Sequence, residues 1–318
     1  MSLLSRFLTT RIRSYDSAGL AEAAALIRAG EPVAVPTETV YGLAADATSD
    51  FAVARIYAAK ARPAFNPLIV HVCDLEMARR LVVFNAAAEA LAQAFWPGAL
   101  TMVLPRRADC PIAELASAGL PTLAVRLPSH PAMRALIAAA GVPLAAPSAN
   151  RSGGISPTRA SHVLASLDGR IPFILDAGPA SDGLESTIVR PLDDAVLLLR
   201  PGPVAADQIE AAAGLPVQWP EAGSEISAPG QLESHYAPSK PVVLDCVRPS
   251  EGHFHIGFGA GACQRNLSLQ GDLVEAAANL FAALHEADES AALAISVAPV
   301  PEEGIGIAIN DRLRRAAA

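Results

Sequence analysis

The stretch PTETVYGLAADATSDFAVARIYAAKARPAFNPLIVH, residues 36–71, decides the fold prediction. It follows the apolar run at residues 33–35 and opens with a hydroxyl-rich turn. A short strand followed by such a loop is typical of the place where a ligand meets an α/β sheet. The polar pair at residues 49–50 can cap a helix over residues 51–61. Pro63 disfavours helical backbone angles at Arg62, the residue before it. The side chains of Lys60 and Arg62, which would diverge on one helix, can therefore converge across its end. An alternative is that these cations only offset the helix dipole.

Strand-like and helix-like segments alternate from this stretch outward to about residue 216. A segment rich in proline and glycine follows, typical of a linker, and then a shorter alternating region. The pattern predicts an α/β (α+β) fold with a first domain over residues 14–213, a linker over 214–238, and a small C-terminal α/β domain over 239–318.

Composition narrows the class of partner. The chain has 318 residues, is 52% hydrophobic and carries a formal net charge of −8, which disfavours broad electrostatic capture of nucleic acid. No apolar run approaches the ~20 residues that span a bilayer. The four cysteines form no CxxC pair, so we predict a cytoplasmic protein. The N-terminus is either a frayed end or, being rich in Arg and Ser, an organelle transit peptide.

The sequence contains no P-loop and no GxSxG motif, so its candidate site residues are cations and hydroxyls at strand ends. Arg126 interrupts an apolar strand, where it is either a carboxylate clamp or a water-facing edge residue. Ser148, Asn150 and Ser156 lie in a glycine-containing loop suited to an anion, although Ser156 could equally cap a helix that begins there. His71 is either a ligand-binding residue or a hydrogen-bonded core histidine. Ser186 could simply open a strand, and Arg200 could lie on the surface.

Several motifs together resemble the L-threonylcarbamoyladenylate synthase family. In chain order they are PTETVYGL, KARPAFNPLIVH, TLAVRLP, APSANRSGGISPT, ESTIV and RPG, and the later SAPGQLESHYAP resembles the two-domain form. The resemblance implies a twisted mixed sheet with flanking helices that form a concave cleft, followed by a Rossmann-like C-terminal domain. It also implies a reaction in which L-threonine, bicarbonate and ATP give threonylcarbamoyl-AMP and pyrophosphate.

The resemblance also implies roles for individual residues. Lys60 and Arg62 would be catalytic, because they would offset charge on the triphosphate. The threonine set would be Thr39, His71, Arg126, Ala146 and Ser186. The nucleotide set would be Lys60, Arg62, Asn66, Thr122, Ser148, Asn150, Ser156, Arg200 and Tyr236. Mg²⁺ would arrive on ATP, with no dedicated metal site, and the linker over residues 227–238 would close as a lid.

The implied product would pass to a separate transferase complex that modifies adenosine 37 of tRNA, so tight tRNA binding and a membrane partner are not expected. Two other hypotheses remain open. One is a non-catalytic RNA-binding protein of ribosome or tRNA maturation, against which the acidic balance weighs. The other is carbamoyl transfer to a different acceptor by a related domain.

Overall fold

The structure, a computed structural model, describes residues 9–63, 66–220, 236–249 and 251–318. Within these ranges the chain forms an eleven-stranded mixed sheet and a separate four-stranded sheet, each with flanking helices. The predicted α/β fold with a second, smaller α/β unit is therefore confirmed. The predicted lid at residues 227–238 falls outside the described residues except for its last three.

The larger sheet combines parallel and antiparallel pairs. Its strands are β1 (Arg11–Ser14), β2 (Val33–Pro36), β3 (Tyr41–Asp46), β4 (Ile69–His71), β5 (Leu100–Pro105), β6 (Thr122–Arg126), β7 (Leu144–Ala145), β8 (Phe173–Asp176), β9 (Thr187–Pro191), β10 (Val196–Arg200) and β11 (Val217–Gln218). Their order is β1-β8-β2-β3-β7-β4-β6-β5-β9-β10-β11. The parallel register of β4 with β6 places His71 directly opposite Arg126.

Helices pack on both faces of this sheet. They are α1 (Ser17–Arg28), α2 (Asp50–Lys60), α3 (Leu75–Leu81), α4 (Ala86–Phe95), α5 (Glu114–Ser117), α6 (Pro131–Ala140), α7 (Ala160–Leu167) and α8 (Ala206–Ala213). On one face, α1 and α6 bury Ile27 and Ile137 against Phe173. On the other face, Ile56 and Leu91 belong to a larger apolar cluster. Burial of both faces fixes the sheet, and hence the strand ends that carry the polar side chains.

Helix α2 begins and ends one residue earlier than the predicted range of 51–61. The hydroxyl of Ser49 accepts a hydrogen bond from the Ala52 N–H, which satisfies a free donor of the first turn. The helix ends at Lys60, and Ala61 adopts a left-handed backbone with φ of 51°. Arg62 therefore leaves the helix axis while its N–H still donates to the Tyr57 carbonyl at 3.0 Å. After this turn the two cations bind different backbone groups, Lys60 those of residues 148 and 150 and Arg62 those of residues 66 and 67. Their predicted convergence on one ligand stays a prediction.

The second unit is a parallel sheet with two helices. Its strands are β12 (Val242–Val243), β13 (His253–Gly257), β14 (Arg265–Asn266) and β15 (Ala294–Val297), in the order β12-β15-β13-β14. Its helices are α9 (Leu273–Glu289) and α10 (Gly306–Ala316). Its apolar core extends into the first unit, because Val40, Ile155 and Leu184 belong to the same buried cluster as Phe281 and Leu284.

No helix in the described ranges has the length and apolarity needed to cross a membrane. The domain limits predicted at residues 213/214 and 238/239 stay a prediction.

Candidate active site

A cavity opens to solvent where the ends of β3, β4, β6 and β10 meet the loops around them, and its space, including the solvent-filled mouth, is about 540 Å³. All five predicted threonine residues line it, namely Thr39, His71, Arg126, Ala146 and Ser186. Four members of the predicted nucleotide set line it as well, namely Arg62, Ser148, Arg200 and Tyr236. The other five, Lys60, Asn66, Thr122, Asn150 and Ser156, are not among the lining residues. Side chains from segments up to about 200 residues apart in the chain thus share one enclosure.

Arg126 is buried at 3% exposure, so the alternative of a water-facing edge residue is wrong. Its Nε donates to the Gly98 carbonyl at 3.1 Å, and its Nη1 donates to the Thr39 hydroxyl at 2.9 Å. Its Nη2 forms a buried ion pair with Glu38. These contacts hold the guanidinium plane rigidly at the cavity wall, which suits a fork that binds a carboxylate.

Glu38, which the sequence analysis did not single out, orients Arg126. Its second carboxylate oxygen accepts from the backbone N–H groups of Ser129 and His130 at 3.1 and 3.2 Å. Burial alone would raise the pKa of Glu38, but Arg126 and these backbone donors lower it to about 2. Glu38 therefore links the Arg126 guanidinium to the start of α6. The sequence signal that could have identified Glu38 is an acidic residue between two threonines, directly after an apolar strand.

Acid unfolding should reveal this ion pair. The folded-state pKa of Glu38 lies below the ordinary value of 4.5, so the unfolded chain takes up the proton first as pH falls. We expect the carboxylate to contribute at most about 3 kcal/mol above pH ~4.5 and to lose that contribution towards pH ~2. Urea unfolding across this range should show a weaker pH dependence in Glu38→Gln. Glu114→Gln, which removes an exposed partner of Arg106, is the control; equal pH dependence in both variants would contradict the role of Glu38.

His71 lies beside Arg126 at 2% exposure. Burial, and then the charge of Arg126, lower the pKa of His71 to about 3, so its imidazole is neutral at physiological pH. Its Nδ1 has no hydrogen-bond partner within the described part of the chain. His71 lines the cavity with a neutral imidazole whose Nδ1 is unpartnered in the described residues, so it is not a fully satisfied core histidine.

Lys60 is buried against the loop of residues 148–150. It is 1% exposed, and its ammonium donates to the carbonyls of Ser148 and Asn150 at 2.6 and 2.5 Å. Burial, and then the nearby charge of Arg62, hold the pKa of Lys60 well below its usual range. Lys60 thus supports the backbone of the loop that carries Ser148. Its predicted direct contact with the nucleotide stays a prediction.

Arg62 reaches the cavity itself. Its Nε donates to the Asn66 carbonyl at 3.3 Å, and its Nη2 donates to the Pro67 carbonyl at 3.1 Å. These bonds hold the guanidinium of Arg62 against residues 66–67, and Arg62 lines the cavity. Asn66 is buried, and Thr122 lies at the opposite end of β6 from Arg126, paired with Pro105. The predicted nucleotide contacts of Asn66 and Thr122 stay predictions.

Ser156 does not cap a helix, because α7 begins only at Ala160. Its buried hydroxyl instead donates to one carboxylate oxygen of Glu185, a cavity residue that the sequence analysis passed over. Asn150 is held within its own loop, since its amide donates to the carbonyls of Arg151 and Gly154 at 2.9 and 2.7 Å. Both side chains shape the loop next to the cavity.

Arg200 is 4% exposed, so the surface alternative is wrong. Its Nε and Nη2 both donate to the Ser186 carbonyl, at 3.1 and 2.9 Å. The Ser186 hydroxyl also shares a hydrogen bond with Thr101 at 2.8 Å. These bonds join the ends of β9 and β10 at the cavity wall.

Tyr236, at the end of the linker, is 1% exposed and packs on Phe281 of α9 with the ring centroids 5.6 Å apart. The next residue, Ala237, donates its N–H to the Gly153 carbonyl at 2.9 Å. The chain after residue 235 therefore docks onto the loop of residues 148–156 and closes one side of the cavity.

Comparisons with known proteins agree with this geometry. A family profile described as "Telomere recombination" matches residues 25–202, and a profile described as "Threonylcarbamoyl-AMP synthase, C-terminal domain" matches residues 204–318. The threonylcarbamoyl-AMP synthase of Bacillus subtilis is 41% identical over 94% of this chain and 92% of its own length. The chain belongs to the threonylcarbamoyl-AMP synthase family.

Solved structures of this family extend the likeness to the whole fold. The crystal structure of Pyrococcus abyssi Sua5 complexed with L-threonine superposes with a TM-score of 0.88 and 37% identity. The alignment covers 97% of this chain and 98% of that chain. The two-unit architecture described above is thus that of a family member that binds threonine.

Proposed function

We propose that this chain catalyses the formation of threonylcarbamoyl-AMP and pyrophosphate from L-threonine, bicarbonate and ATP. The observation that carries the proposal is one cavity lined both by Arg126, His71 and Ser186 and by Arg62, Ser148 and Arg200. An amino acid and a nucleotide can react only when one enclosure holds both, and holding them in place removes much of the barrier.

The proposed reaction has two steps. First, the amine nitrogen of threonine bonds to the carbon of bicarbonate and water leaves, which gives a carbamate. A carbamate oxygen then bonds to the α-phosphorus of ATP. The bond from the α-phosphorus to the oxygen that bridges the α- and β-phosphates breaks, and pyrophosphate leaves with that oxygen. Neither step needs a covalent bond to the protein, so positioning and charge neutralisation supply the catalysis.

The threonine side of the cavity is assigned to the residues around Arg126. The guanidinium would face the substrate carboxylate, and its bonds to Glu38 and Gly98 keep it from turning away. The hydroxyls of Thr39 and Ser186 and the neutral imidazole of His71 supply donors and acceptors for the remaining polar groups. Ala146 offers only its backbone and a small side chain.

The nucleotide side is assigned to Arg62, Ser148, Arg200 and Tyr236. The two guanidinium groups offset the negative charge that shifts onto the leaving pyrophosphate. Lys60, Asn66, Thr122, Asn150 and Ser156 belong to this proposal as residues around the same ligand. Mg²⁺ is proposed to come with ATP as part of the substrate and to share in this neutralisation.

The decisive experiment is pyrophosphate release by the purified full-length chain. We expect release with ATP and Mg²⁺ only when threonine and bicarbonate are both present. Threonine-independent or bicarbonate-independent release would contradict the proposal. Calorimetry tests the RNA-binding hypothesis, which predicts tight binding of RNA and no heat on adding ATP with threonine.

Arg126→Ala should separate the two substrates. Removal of the guanidinium takes away the proposed partner of the threonine carboxylate, and a charge-assisted hydrogen bond is worth roughly 1.5–3 kcal/mol. We expect the KM for threonine to rise by about 10- to 100-fold and the KM for ATP to change less than threefold. Arg190→Ala, at an exposed position of β9, is the control. Equal increases in both KM values would refute the carboxylate role.

The destination of the product is part of the same proposal. A mixed anhydride of AMP is labile in water, so we propose that it passes to a separate tRNA threonylcarbamoyl transferase complex, without tight binding of tRNA by this chain. We also propose a cytoplasmic location, which the four free cysteines support.

A further inference from the structure

The second unit contributes one charged side chain to the surroundings of the cavity. Arg312, in α10, is 0% exposed and is the largest of the fully buried side chains in the described ranges. A buried guanidinium is costly unless its donors are satisfied. Besides its neighbour Asp311, its polar partners belong to the first unit: its Nε donates to Glu185 at 2.9 Å, and its Nη2 donates to the Pro201 carbonyl at 3.0 Å.

Apart from the one to Asp311, the contacts of Arg312 lead to three proposed nucleotide residues, namely Ser156, Arg200 and Tyr236. Glu185 uses one oxygen for Arg312 and the other for the hydroxyl of Ser156. Pro201 directly follows Arg200. The guanidinium carbon of Arg312 also lies 5.2 Å from the ring centroid of Tyr236, within the range of a cation–π contact.

The segments of Glu185 and Pro201 are in direct backbone contact next to Gly202. A Cβ added at Gly202 would lie 2.4 Å from the N atom of Thr187 and 2.7 Å from the carbonyl oxygen of Glu185. The backbone after β10 therefore rests directly on the backbone before β9, with no room for a side chain between them. Any shift of Glu185 or Pro201 would be passed to Arg200.

The charge of Arg312 also matters to an anionic ligand. Glu185 lines the cavity, and burial alone would raise its pKa. Arg312, and then Arg200, nevertheless hold the pKa of Glu185 below its usual range, so the carboxylate remains ionised. Without Arg312, an uncompensated negative charge would face the triphosphate, or Arg200 would be drawn towards Glu185 and away from the ligand.

We propose that Arg312 is a positioning residue for the nucleotide: from α10 it fixes Glu185, Pro201 and Tyr236 and neutralises Glu185, so that Arg200 faces ATP and the loop of Ser156 is held in place beside it. This inference rests on the proposed function, and it gives the C-terminal unit a direct part in building the nucleotide site. Arg312 contacts no member of the threonine set directly, and only Ser186, next to Glu185, lies close to its partners, so we expect its loss to weaken MgATP binding more than threonine binding.

The test compares Arg312→Gln with Arg314→Gln, which removes an exposed arginine of the same helix that pairs with Glu302. Calorimetry with the full-length chain measures the Kd of MgATP and, separately, the Kd of threonine. For Arg312→Gln we expect the MgATP Kd to rise at least tenfold and the threonine Kd to change less than threefold. For Arg314→Gln neither should change more than twofold. A MgATP Kd within twofold of the unsubstituted protein, or equal losses for both ligands, would overturn the proposal.

Two further variants separate positioning from general destabilisation. Arg312→Lys keeps the charge but lacks the planar fork, so its MgATP Kd should fall between those of the unsubstituted protein and Arg312→Gln. The double variant Arg312→Gln, Glu185→Gln removes both charges and should recover part of the MgATP affinity. No recovery there, together with no difference between Arg312→Lys and Arg312→Gln, would count against the inference. Because binding is measured apart from pyrophosphate release, failure of the proposed reaction would be seen separately.

Discussion

Methionine in place of Lys60 should lower kcat/KM for ATP by about 100-fold or more, which corresponds to roughly 2.7 kcal/mol of transition-state stabilisation. The ammonium of Lys60 donates to the carbonyls of Ser148 and Asn150; the bond to Asn150 is buried and the bond to Ser148 is partly buried. Methionine preserves the bulk of the side chain but leaves two carbonyl oxygens without their donor. Each unsatisfied buried group costs about 1–3 kcal/mol, so the loop would rearrange to reach other partners and would carry Ser148 with it.

The only other lysine in the sequence provides a matched control. Lys240 also donates from its ammonium to two backbone carbonyls, those of Ala287 and Ser290, near the end of α9. Lys240→Met should lower the free energy of unfolding about as much as Lys60→Met does, because each variant leaves two carbonyls without their donor. Unlike Lys60→Met, it should leave the KM for ATP within twofold. Urea unfolding and initial rates of pyrophosphate release measure the two quantities. If Lys60→Met retained turnover within twofold, neither loop support nor charge neutralisation by Lys60 could be maintained.

Local signals in the sequence were sufficient for the elements around the site. The cap at Ser49, the end of α2 at Lys60 and the departure of Arg62 from the helix all follow from interactions within a few residues. The antiparallel pairing of β9 with β10 is likewise local, because a short polar turn connects the two strands. In each of these cases the interacting residues are close in sequence, so the local structure can be predicted from one short segment.

The partners of the buried charges could not be predicted in this way. Glu38 and Arg126 are 88 residues apart, and Glu185 and Arg312 are 127 residues apart. Each pair meets only because the sheet order or the packing of the two units brings them together. Ser156 illustrates the same limit: its sequence neighbours suggested a helix cap, whereas its hydroxyl is engaged by Glu185 from a distant loop. A tertiary contact prevailed over the local preference.

Alanine in place of Gly183 should disturb the contact between the two units. Gly183 lies in the loop between β8 and β9 with φ of +71°, and an added Cβ would lie 2.5 Å from both the Cα and the carbonyl oxygen of Ala278 in α9. The obstructing atoms belong to a helix backbone, so they cannot rotate away. The loop would have to lift from α9, and the neighbouring Leu184 and Glu185 would move with it.

We expect Gly183→Ala to lower the free energy of unfolding by about 3 kcal/mol, from a left-handed backbone cost of ~1–2 kcal/mol and an overpacking cost of ~1–3 kcal/mol. Gly214→Ala is the control, because Gly214 has a similar φ of +65° and no atom within 4 Å of an added Cβ. It should show only the backbone cost and leave the MgATP Kd unchanged, whereas Gly183→Ala should raise that Kd by about tenfold. Equal losses of stability with unchanged affinity in both variants would mean that the loop accepts a side chain at residue 183, and that its contact with α9 does not hold Glu185 in place.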